Sequence, residues 1–180
     1  MKPDPQQRDL VEACKRGDRR AQKELYDRYC QAMYNICLRM TRHEADAEDL
    51  LQNAFVDVFT KLDSFRHEST IGAWIKRIVI NTCINFLKKR RLNTQSWDER
   101  IPDQADEREA DTWPELTIEK VKQAIGALPD GYRTVFSLYL MEGYDHKEIG
   151  EILQISEATS KSQYSRAKSR LREMMHEMNR

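Results

Sequence analysis

The sequence predicts an all-α protein of two small helical domains, and three observations lead to this fold class. The chain has 180 residues, a length that suits one or two small domains. It contains only 6 Gly and 5 Pro, which is too few for the many turns of a β-sandwich or β-barrel. Apolar residues recur at intervals of three and four along several segments, whereas no segment alternates convincingly with a period of two.

The first domain is predicted to span residues 1–91 and to contain four helices. They are expected at residues 6–16, 19–41, 45–62 and 70–90. Gly17 ends the first helix, and Asp18 is placed to cap the second, because a short side-chain oxygen accepts from the free amides at a helix start. The inward face of the fourth helix is predicted to consist of Ile71, Ile75, Ile78, Val79, Thr82 and Phe86.

A linker and a second helical domain follow. Residues 92–113 lack apolar periodicity and are rich in Asp, Glu, Gln and Asn, which predicts a flexible acidic linker. The second domain is residues 114–180. Its helices are expected at 114–127, 131–141, 145–153 and 157–178. The second of these helices is predicted to bury Tyr132, Val135, Phe136 and Tyr139.

The formal net charge is zero, but the charges are unevenly distributed along the chain. Residues 64–92 carry a net charge of +6, residues 93–120 carry −6, and residues 153–180 carry +3. A basic helix attracts phosphates and releases their counterions on binding. Two basic patches on two amphipathic helices therefore favour nucleic acid over the alternative that the cations merely solvate helix faces.

Several classes of protein are excluded. No apolar run approaches the ~18 residues of a membrane span, and the N-terminus lacks a secretion signal, so a cytoplasmic protein without membrane insertion is expected. Cys14, Cys30, Cys37 and Cys83 lack metal-ligand spacing and are expected to be reduced and mostly buried. No metal, cofactor or catalytic residue is predicted.

The strongest motif is a helix-turn-helix at residues 147–161. Gly150 is small where the two helices cross, and Ser156 is placed to cap the second helix. Gln154 stands where glycine often supplies a left-handed residue, and an aliphatic side chain is expected to pack better than Ser160. The buried wedge between the helices is predicted to be Ile149, Leu153 and Ile155. An ordinary helical hairpin is the alternative.

Two helices carry polar faces that suit nucleic acid. The outer face of the last helix combines hydroxyls with cations, and this combination suits a DNA major groove. Its residues are Lys161, Ser162, Ser165, Arg166 and Ser169. One sector of the fourth helix combines amides with cations, at Arg77, Asn81, Asn85 and Lys88. Trp74, at the border of this sector, either stacks on an extruded base or packs in the core.

Two further surfaces have open interpretations. The polar loop at residues 65–70 either holds an unpaired base or is an ordinary surface loop. The third helix presents an acidic and amide-rich stripe, which serves solubility, binds a basic partner helix or holds a divalent metal in a hydrolase. The residues of this stripe are Asp46, Asp49, Gln52, Asn53 and Asp57.

The chain from Leu10 to Met175 resembles an extracytoplasmic-function (ECF) sigma factor of bacterial RNA polymerase. Residues 46–55, DAEDLLQNAF, are similar to the family's core-binding motif, with Asn53 replacing the usual Glu. Phe65-Arg66 and residues 73–81 resemble the segment that opens and reads the −10 element. Leu128-Pro129, Gly143-Tyr144 and the helix-turn-helix resemble the −35-reading domain.

The resemblance implies three partners, namely core RNA polymerase (the β′ clamp helices and β), promoter DNA and an anti-sigma factor. It implies that Asp46, Asp49, Gln52 and Asn53 contact the clamp helices. It places the −10 element on Phe65, Arg66, His67, Ser69, Arg77, Asn81, Asn85 and Lys88. It places the −35 element on Ser156, Thr159, Lys161, Ser162, Ser165 and Arg166.

Two rival functions each explain part of the sequence. The first is a stand-alone helix-turn-helix regulator that binds its operator as a dimer, which explains residues 128–175 but not the surfaces within residues 46–91. The second is a metal-dependent hydrolase with a regulatory tail, for which the acidic stripe is the support.

Overall fold

A computed structural model of the chain describes residues 5–93 and 117–179, and within these ranges all the regular elements are helical. The described residues form eight α-helices. They are α1 (Pro5–Lys15), α2 (Arg19–Thr41), α3 (Glu44–Lys61), α4 (Ile71–Asn93), α5 (Ile118–Ala127), α6 (Asp130–Phe136), α7 (His146–Leu153) and α8 (Glu157–Glu177). A 3₁₀-helix follows α3 at Leu62–Ser64, and a π-helix follows α6 at Ser137–Met141. The predicted all-α class is confirmed.

The chain divides into two compact units, Met1–Gln95 and Ser96–Arg180, each with its own helices. The predicted linker lies outside the described residues from residue 94 onward, and residues 92–93 belong to α4. The predicted start of the fifth helix at residue 114 is wrong, because α5 begins at Ile118, where the hydroxyl of Thr117 accepts from the amide of Lys120 at 3.3 Å. The domain limits at residues 91 and 114 therefore stay a prediction. The bounds of the other helices follow the predicted ranges closely, except that α6 ends at Phe136 and not at residue 141.

The first unit is a bundle in which α2, α3 and α4 pack against one another and α1 packs against α2. Asp18 caps α2, since its Oδ1 accepts from the backbone amides of Arg20 (2.8 Å) and Ala21 (3.2 Å). This cap confirms the predicted boundary between α1 and α2. At the other end, Arg42 ends α2 in the left-handed conformation, with φ of 63°.

The predicted inward face of α4 is partly wrong. Ile71, Ile75 and Val79 are buried as expected, but Ile78, Thr82 and Phe86 are only partly buried. The predicted face omits four buried residues of the same helix: Ile80, Cys83, Ile84 and Leu87. The reason is that α4 packs against both α2 and α3, which buries a broader arc of the helix than one apolar stripe predicts.

The four cysteines are free thiols, as predicted. Cys14, Cys37 and Cys83 are buried, and Cys30 is partly exposed. Burial raises the pKa of the Cys14 thiol to about 11. The Cys83 thiol lies 3.6 Å from the sulfur of Cys37, to which it donates, so both behave as small residues of the core.

The second unit has a core shared by α5, α6 and α8. Its buried members include Ala124, Leu128, Phe136, Ala167 and Leu171. Val135 is also fully buried, as predicted, whereas Tyr132, which was predicted to be buried, is only half-buried.

The predicted burial of Tyr139 is wrong, because its side chain is 37% exposed. The helix does not continue regularly to residue 141, since the π-helix at Ser137–Met141 has a wider turn that changes the phase of the following side chains. The same segment exposes Leu140 and Met141.

Arg133 is buried in the second unit, with 1% of its surface exposed, and the apolar pattern did not predict this. Its guanidinium donates to the carbonyl oxygen of Leu128 (2.7 Å) and pairs with the carboxylate of Asp130 (2.5 Å). The cation thus secures the bend between α5 and α6, where Leu128 is itself fully buried.

Candidate polymerase and nucleic-acid interfaces

The solvent face of α3 carries the predicted polar stripe. Asp49, Gln52 and Asn53 are exposed, while Asp46 and Asp57 are partly exposed. Two of these carboxylates have neighbours: Asp57 pairs with Lys61 at 2.7 Å, and Asp46 lies 4.0 Å from the guanidinium of Arg90. The structure therefore brings the predicted residues together on one accessible face.

Val56 adds an apolar residue to this face that the sequence analysis did not include. It is 66% exposed and lies one helical turn from Gln52 and Asn53. An apolar residue with a polar surround is typical of the centre of a protein interface. Its helical spacing from Gln52 and Asn53 is the signal in the sequence that could have identified it.

The α3 carboxylates do not form a metal centre in the described part of the chain. No group of three or more His, Cys, Asp or Glu side chains able to hold a metal ion occurs within residues 5–93 and 117–179.

The loop between the 3₁₀-helix and α4 is held by its own aromatic residue. Phe65 is 5% exposed, and its ring centroid lies 5.4 Å from that of Trp74 and 4.8 Å from that of His67. Arg66 and Ser69 are exposed, and His67 is partly buried. Phe65 thus packs beneath the loop and stabilises it. Of the predicted site residues in the loop, Arg66 and Ser69 are the most exposed.

The predicted polar sector of α4 is accessible. Arg77, Asn81 and Asn85 are exposed, and Lys88 is partly exposed. Trp74, in the first turn of the same helix, is partly buried against Phe65. The tryptophan therefore packs on the loop in this conformation, which agrees with the packing alternative.

The helix-turn-helix forms as predicted. A capping box of Asp145 and Glu148 starts α7, and Ser156 caps α8 by accepting from the amide of Thr159 at 2.9 Å. Gln154 itself adopts the left-handed conformation, with φ of 61°. A Cβ atom on Gly150 would lie 2.9 Å from the carbonyl oxygen of Ile155, so the small residue is required where the turn returns over α7.

The expectation for Ser160 is wrong, and the predicted wedge is partly right. Ser160 is fully buried, but its hydroxyl lies 2.9 Å from Nδ1 of His146, so this position is a hydrogen bond between α7 and α8 and not a gap for an aliphatic residue. The rings of Tyr139 and His146 stack with centroids 4.4 Å apart. Of the wedge, Ile149 is buried, whereas Leu153 and Ile155 are half-buried.

The outer face of α8 holds the predicted groove residues together. Lys161, Ser162, Ser165 and Ser169 are exposed, and Arg166 is partly exposed. Glu157 pairs with Lys161 at 2.7 Å, and this hydrogen bond raises the pKa of Lys161. At the helix start, the hydroxyls of Ser156 and Thr159 lie 2.7 Å apart.

Replacing Gly150 by alanine is expected to destabilise the second unit by about 1–3 kcal/mol, because the added methyl group meets backbone that cannot move aside cheaply. Thermal unfolding measures this loss. Gly126→Ala in α5 is the matched control, since nothing lies within 4 Å of its added Cβ, and it is expected to stabilise by about 0.4–1 kcal/mol. Equal stability of the two variants would contradict the close approach at Gly150.

Two family models match the chain, one in each unit. Residues 25–92 match the model for Sigma-70 region 2, and residues 118–171 match that for Sigma-70, region 4. The first match covers most of α2 and all of α3 and nearly all of α4, and the second contains the helix-turn-helix. Helix α1 lies outside both matches.

Relatives that match along most of the chain point in the same direction. The ECF RNA polymerase sigma factor SigM of Bacillus subtilis is 30% identical, over 83% of this chain and 91% of the relative. The RNA polymerase sigma-H factor of Pseudomonas aeruginosa is 30% identical, over 91% of this chain and 90% of the relative. A solved structure of the sigma factor RpoE in complex with the anti-sigma factor NepR, from Bartonella quintana, is 25% identical with a TM-score of 0.59, over 86% of this chain and 96% of that one.

The described helices include none that is long and apolar enough to cross a membrane.

The two family matches together account for the acidic stripe, the loop and the helix-turn-helix. The first match contains the stripe and the loop, and the second contains the helix-turn-helix. A stand-alone helix-turn-helix regulator accounts only for the last of these. The chain therefore belongs to the ECF family of RNA polymerase sigma factors, which bind core RNA polymerase and direct promoter recognition, DNA melting and transcription initiation.

Proposed function

We propose that this sigma factor divides its work among three surfaces on two tethered domains. Residues 1–91 bind core polymerase and the −10 element, residues 92–113 are the tether, and residues 114–180 bind the −35 element. The main support for this assignment is that each matched region has an exposed polar face. These faces lie at the residues that the family resemblance assigns to a contact.

The polymerase surface is the exposed face of α3. Asp46, Asp49, Gln52 and Asn53 contact the β′ clamp helices, and Val56 lies among the same contacts. Carboxylates and amides on one face favour a basic partner, because complementary charge speeds encounter and fixes orientation. An exposed valine gives this interface an apolar centre that the acids alone would lack.

The −10 surface consists of the loop after α3 and the polar sector of α4. Arg66, His67 and Ser69 hold an extruded base of the non-template strand, while Phe65 keeps the loop in shape. Arg77, Asn81, Asn85 and Lys88 contact the strand and the upstream duplex. The free energy of capturing the extruded base offsets the cost of unpairing it, so that binding itself drives melting.

The −35 surface is the first half of α8. Lys161, Ser162, Ser165 and Arg166 face the major groove, and Ser156 and Thr159 contact phosphates near the helix start. Since each domain makes a modest contact, the tether raises the effective concentration of the second domain once the first is bound.

The protein acts by binding and not as an enzyme, and it works in the cytoplasm, where polymerase and promoter DNA meet. The solved complex of the sigma factor RpoE with the anti-sigma factor NepR supports an anti-sigma factor as a further partner. In vitro transcription with core polymerase and genomic fragments tests the whole assignment. Absence of any promoter-dependent transcript from an assembled holoenzyme would contradict it.

Replacing Arg166 by alanine is expected to weaken binding to DNA that carries the −35 element by about 1–3 kcal/mol, as for a side chain that reads a base edge. Fluorescence anisotropy on promoter and scrambled duplexes measures the difference. Arg170→Ala, one turn further along α8, is the control, because Arg170 pairs with Glu173 at 2.8 Å on the surface. An equal loss on scrambled DNA would mean that Arg166 contacts a phosphate instead.

A further inference from the structure

Helix α1 lies outside the matched family regions, yet it contacts the proposed base-reading loop directly. Lys15 Nζ donates to the carbonyl oxygen of Phe65 at 3.2 Å. Glu12 Oε1 lies 2.9 Å from Nε2 of His67 and 3.1 Å from Lys15 Nζ. One carboxylate of α1 therefore joins these two contacts with the loop.

The loop has a conformation that requires such support. His67 adopts a φ of 59°, in the left-handed region that a residue with a side chain rarely occupies. Its ring is fixed by Glu12 on one side and by the ring of Phe65, 4.8 Å away between centroids, on the other. These contacts hold His67 in a backbone conformation that it would not favour alone.

Helix α1 is itself firmly anchored to the bundle. Leu10, Val11 and Cys14 are buried, and Gln7 Nε2 donates to the hydroxyl of Tyr29 in α2 at 2.7 Å. Glu12 is ionised at neutral pH, since the hydrogen bonds from His67 and from Lys15 lower its pKa. The carboxylate thus stands on an anchored helix and contacts both partners.

We infer that Glu12 and Lys15 are positioning residues that hold the 65–69 loop in its base-reading shape, so that α1 helps to set base preference in the −10 element. This inference rests on the proposed role of the loop. A shallow depression between the two elements supports it, because α1 lines one side with Gln7, Arg8 and Val11 and the loop lines the other with Phe65, His67 and Ser69.

The test is the base preference of reconstituted holoenzyme at the −10 element. The preferred promoter is first selected from a library randomised in this element, using the wild-type sigma factor with core polymerase. Glu12→Ala is expected to lower the affinity ratio between the preferred base and its competitors by about fivefold, as for the loss of a half-exposed ion pair. Lys15→Met is expected to act in the same direction.

Conservative and matched variants separate positioning from general stability. Glu12→Gln is expected to recover much of the preference, because its amide oxygen still accepts from His67 and Lys15. Asp9→Ala, at an exposed carboxylate of the same helix, is expected to keep the wild-type preference. If Glu12→Ala lowers the melting temperature while the preference is unchanged, the inference is wrong. Should Glu12→Ala not fold, Lys15→Met and Glu12→Gln decide by the same ratio.

Variants in the loop distinguish this inference from the proposed function. Arg66→Ala and Ser69→Ala are expected to alter −10 preference if the loop reads a base. If they do and the α1 variants do not, the positioning role is contradicted and the loop assignment stands. If none of the variants alters the preference, the role of the loop fails, and the inference fails with it.

Discussion

Asp49→Arg is expected to abolish association with core RNA polymerase while the helical circular dichroism of the chain is unchanged. Asp49 is exposed on α3 between Asp46 and Asn53, so the substitution changes the surface and not the packing of the bundle. A like charge brought into a basic interface costs several kcal/mol, which corresponds to a loss of affinity of at least about 100-fold. Analytical gel filtration with core polymerase measures the complex.

The control for this charge reversal is Glu24→Arg on α2. Glu24 is exposed and pairs with Arg28 at 2.7 Å, so its reversal removes one surface ion pair and makes the same change in net charge. This variant is expected to form holoenzyme normally. Normal assembly by Asp49→Arg would remove α3 from the polymerase interface.

Arg133→Ala is expected to destabilise the second unit by about 1–3 kcal/mol, the usual loss when a buried hydrogen-bond acceptor is left without its donor. The substitution leaves the buried carbonyl oxygen of Leu128 without its guanidinium donor and opens a cavity beside Asp130. Domains of this size have a total stability of about 5–15 kcal/mol, so the loss is a large share of it. We therefore expect the variant to lose binding to −35 DNA near physiological temperature.

Arg170→Ala is the matched control for Arg133→Ala, because it removes the same residue type from the surface of the same unit. Its partner Glu173 is accessible to water, and a change of less than about 0.5 kcal/mol is expected. Denaturant unfolding followed by circular dichroism compares the two variants. Similar midpoints for both would show that Arg133 is not essential to the bend between α5 and α6.

Local signals in the sequence predicted most helix boundaries well, because each boundary depends on residues adjacent in the chain. Asp18 and Ser156 accept from amides two or three residues ahead, so a pattern of neighbouring residues contains the information. The same holds for Gly150, whose small size is needed by the turn five residues later. The polar faces of α3, α4 and α8 were predicted for a similar reason, since helical period alone places their members together.

The errors fall where several elements meet. The inward face of α4 is broader than predicted because two helices pack on it, and no pattern within residues 70–90 specifies how many neighbours a helix has. Arg133 was missed because a charged residue in an apolar pattern is ordinarily assigned to solvent, whereas this one bonds the backbone carbonyl of Leu128, which precedes α6, and the carboxylate of Asp130 at the start of α6. Ser160 was misjudged because its hydrogen-bond partner, His146, belongs to the preceding helix.

The candidate functional sites show the same difference between features within one element and contacts between elements. The residues of each predicted surface share one helix or one loop and were found together, whereas the contacts of Glu12 and Lys15 with the loop join residues about 50 positions apart. Sequence patterns within one helix do not report such contacts. Val56 was missed for a different reason, since the exposed stripe of α3 was predicted from its polar side chains alone.

The burial of three of the four thiols gives the natural chain a practical property. Cys14, Cys37 and Cys83 are shielded by the bundle, and only Cys30 on α2 is partly accessible to a reagent in solution. A maleimide dye therefore has one preferred point of attachment without any engineered cysteine. Spectroscopic studies of holoenzyme assembly can use the unaltered protein, with the reporter placed on α2 in the first unit.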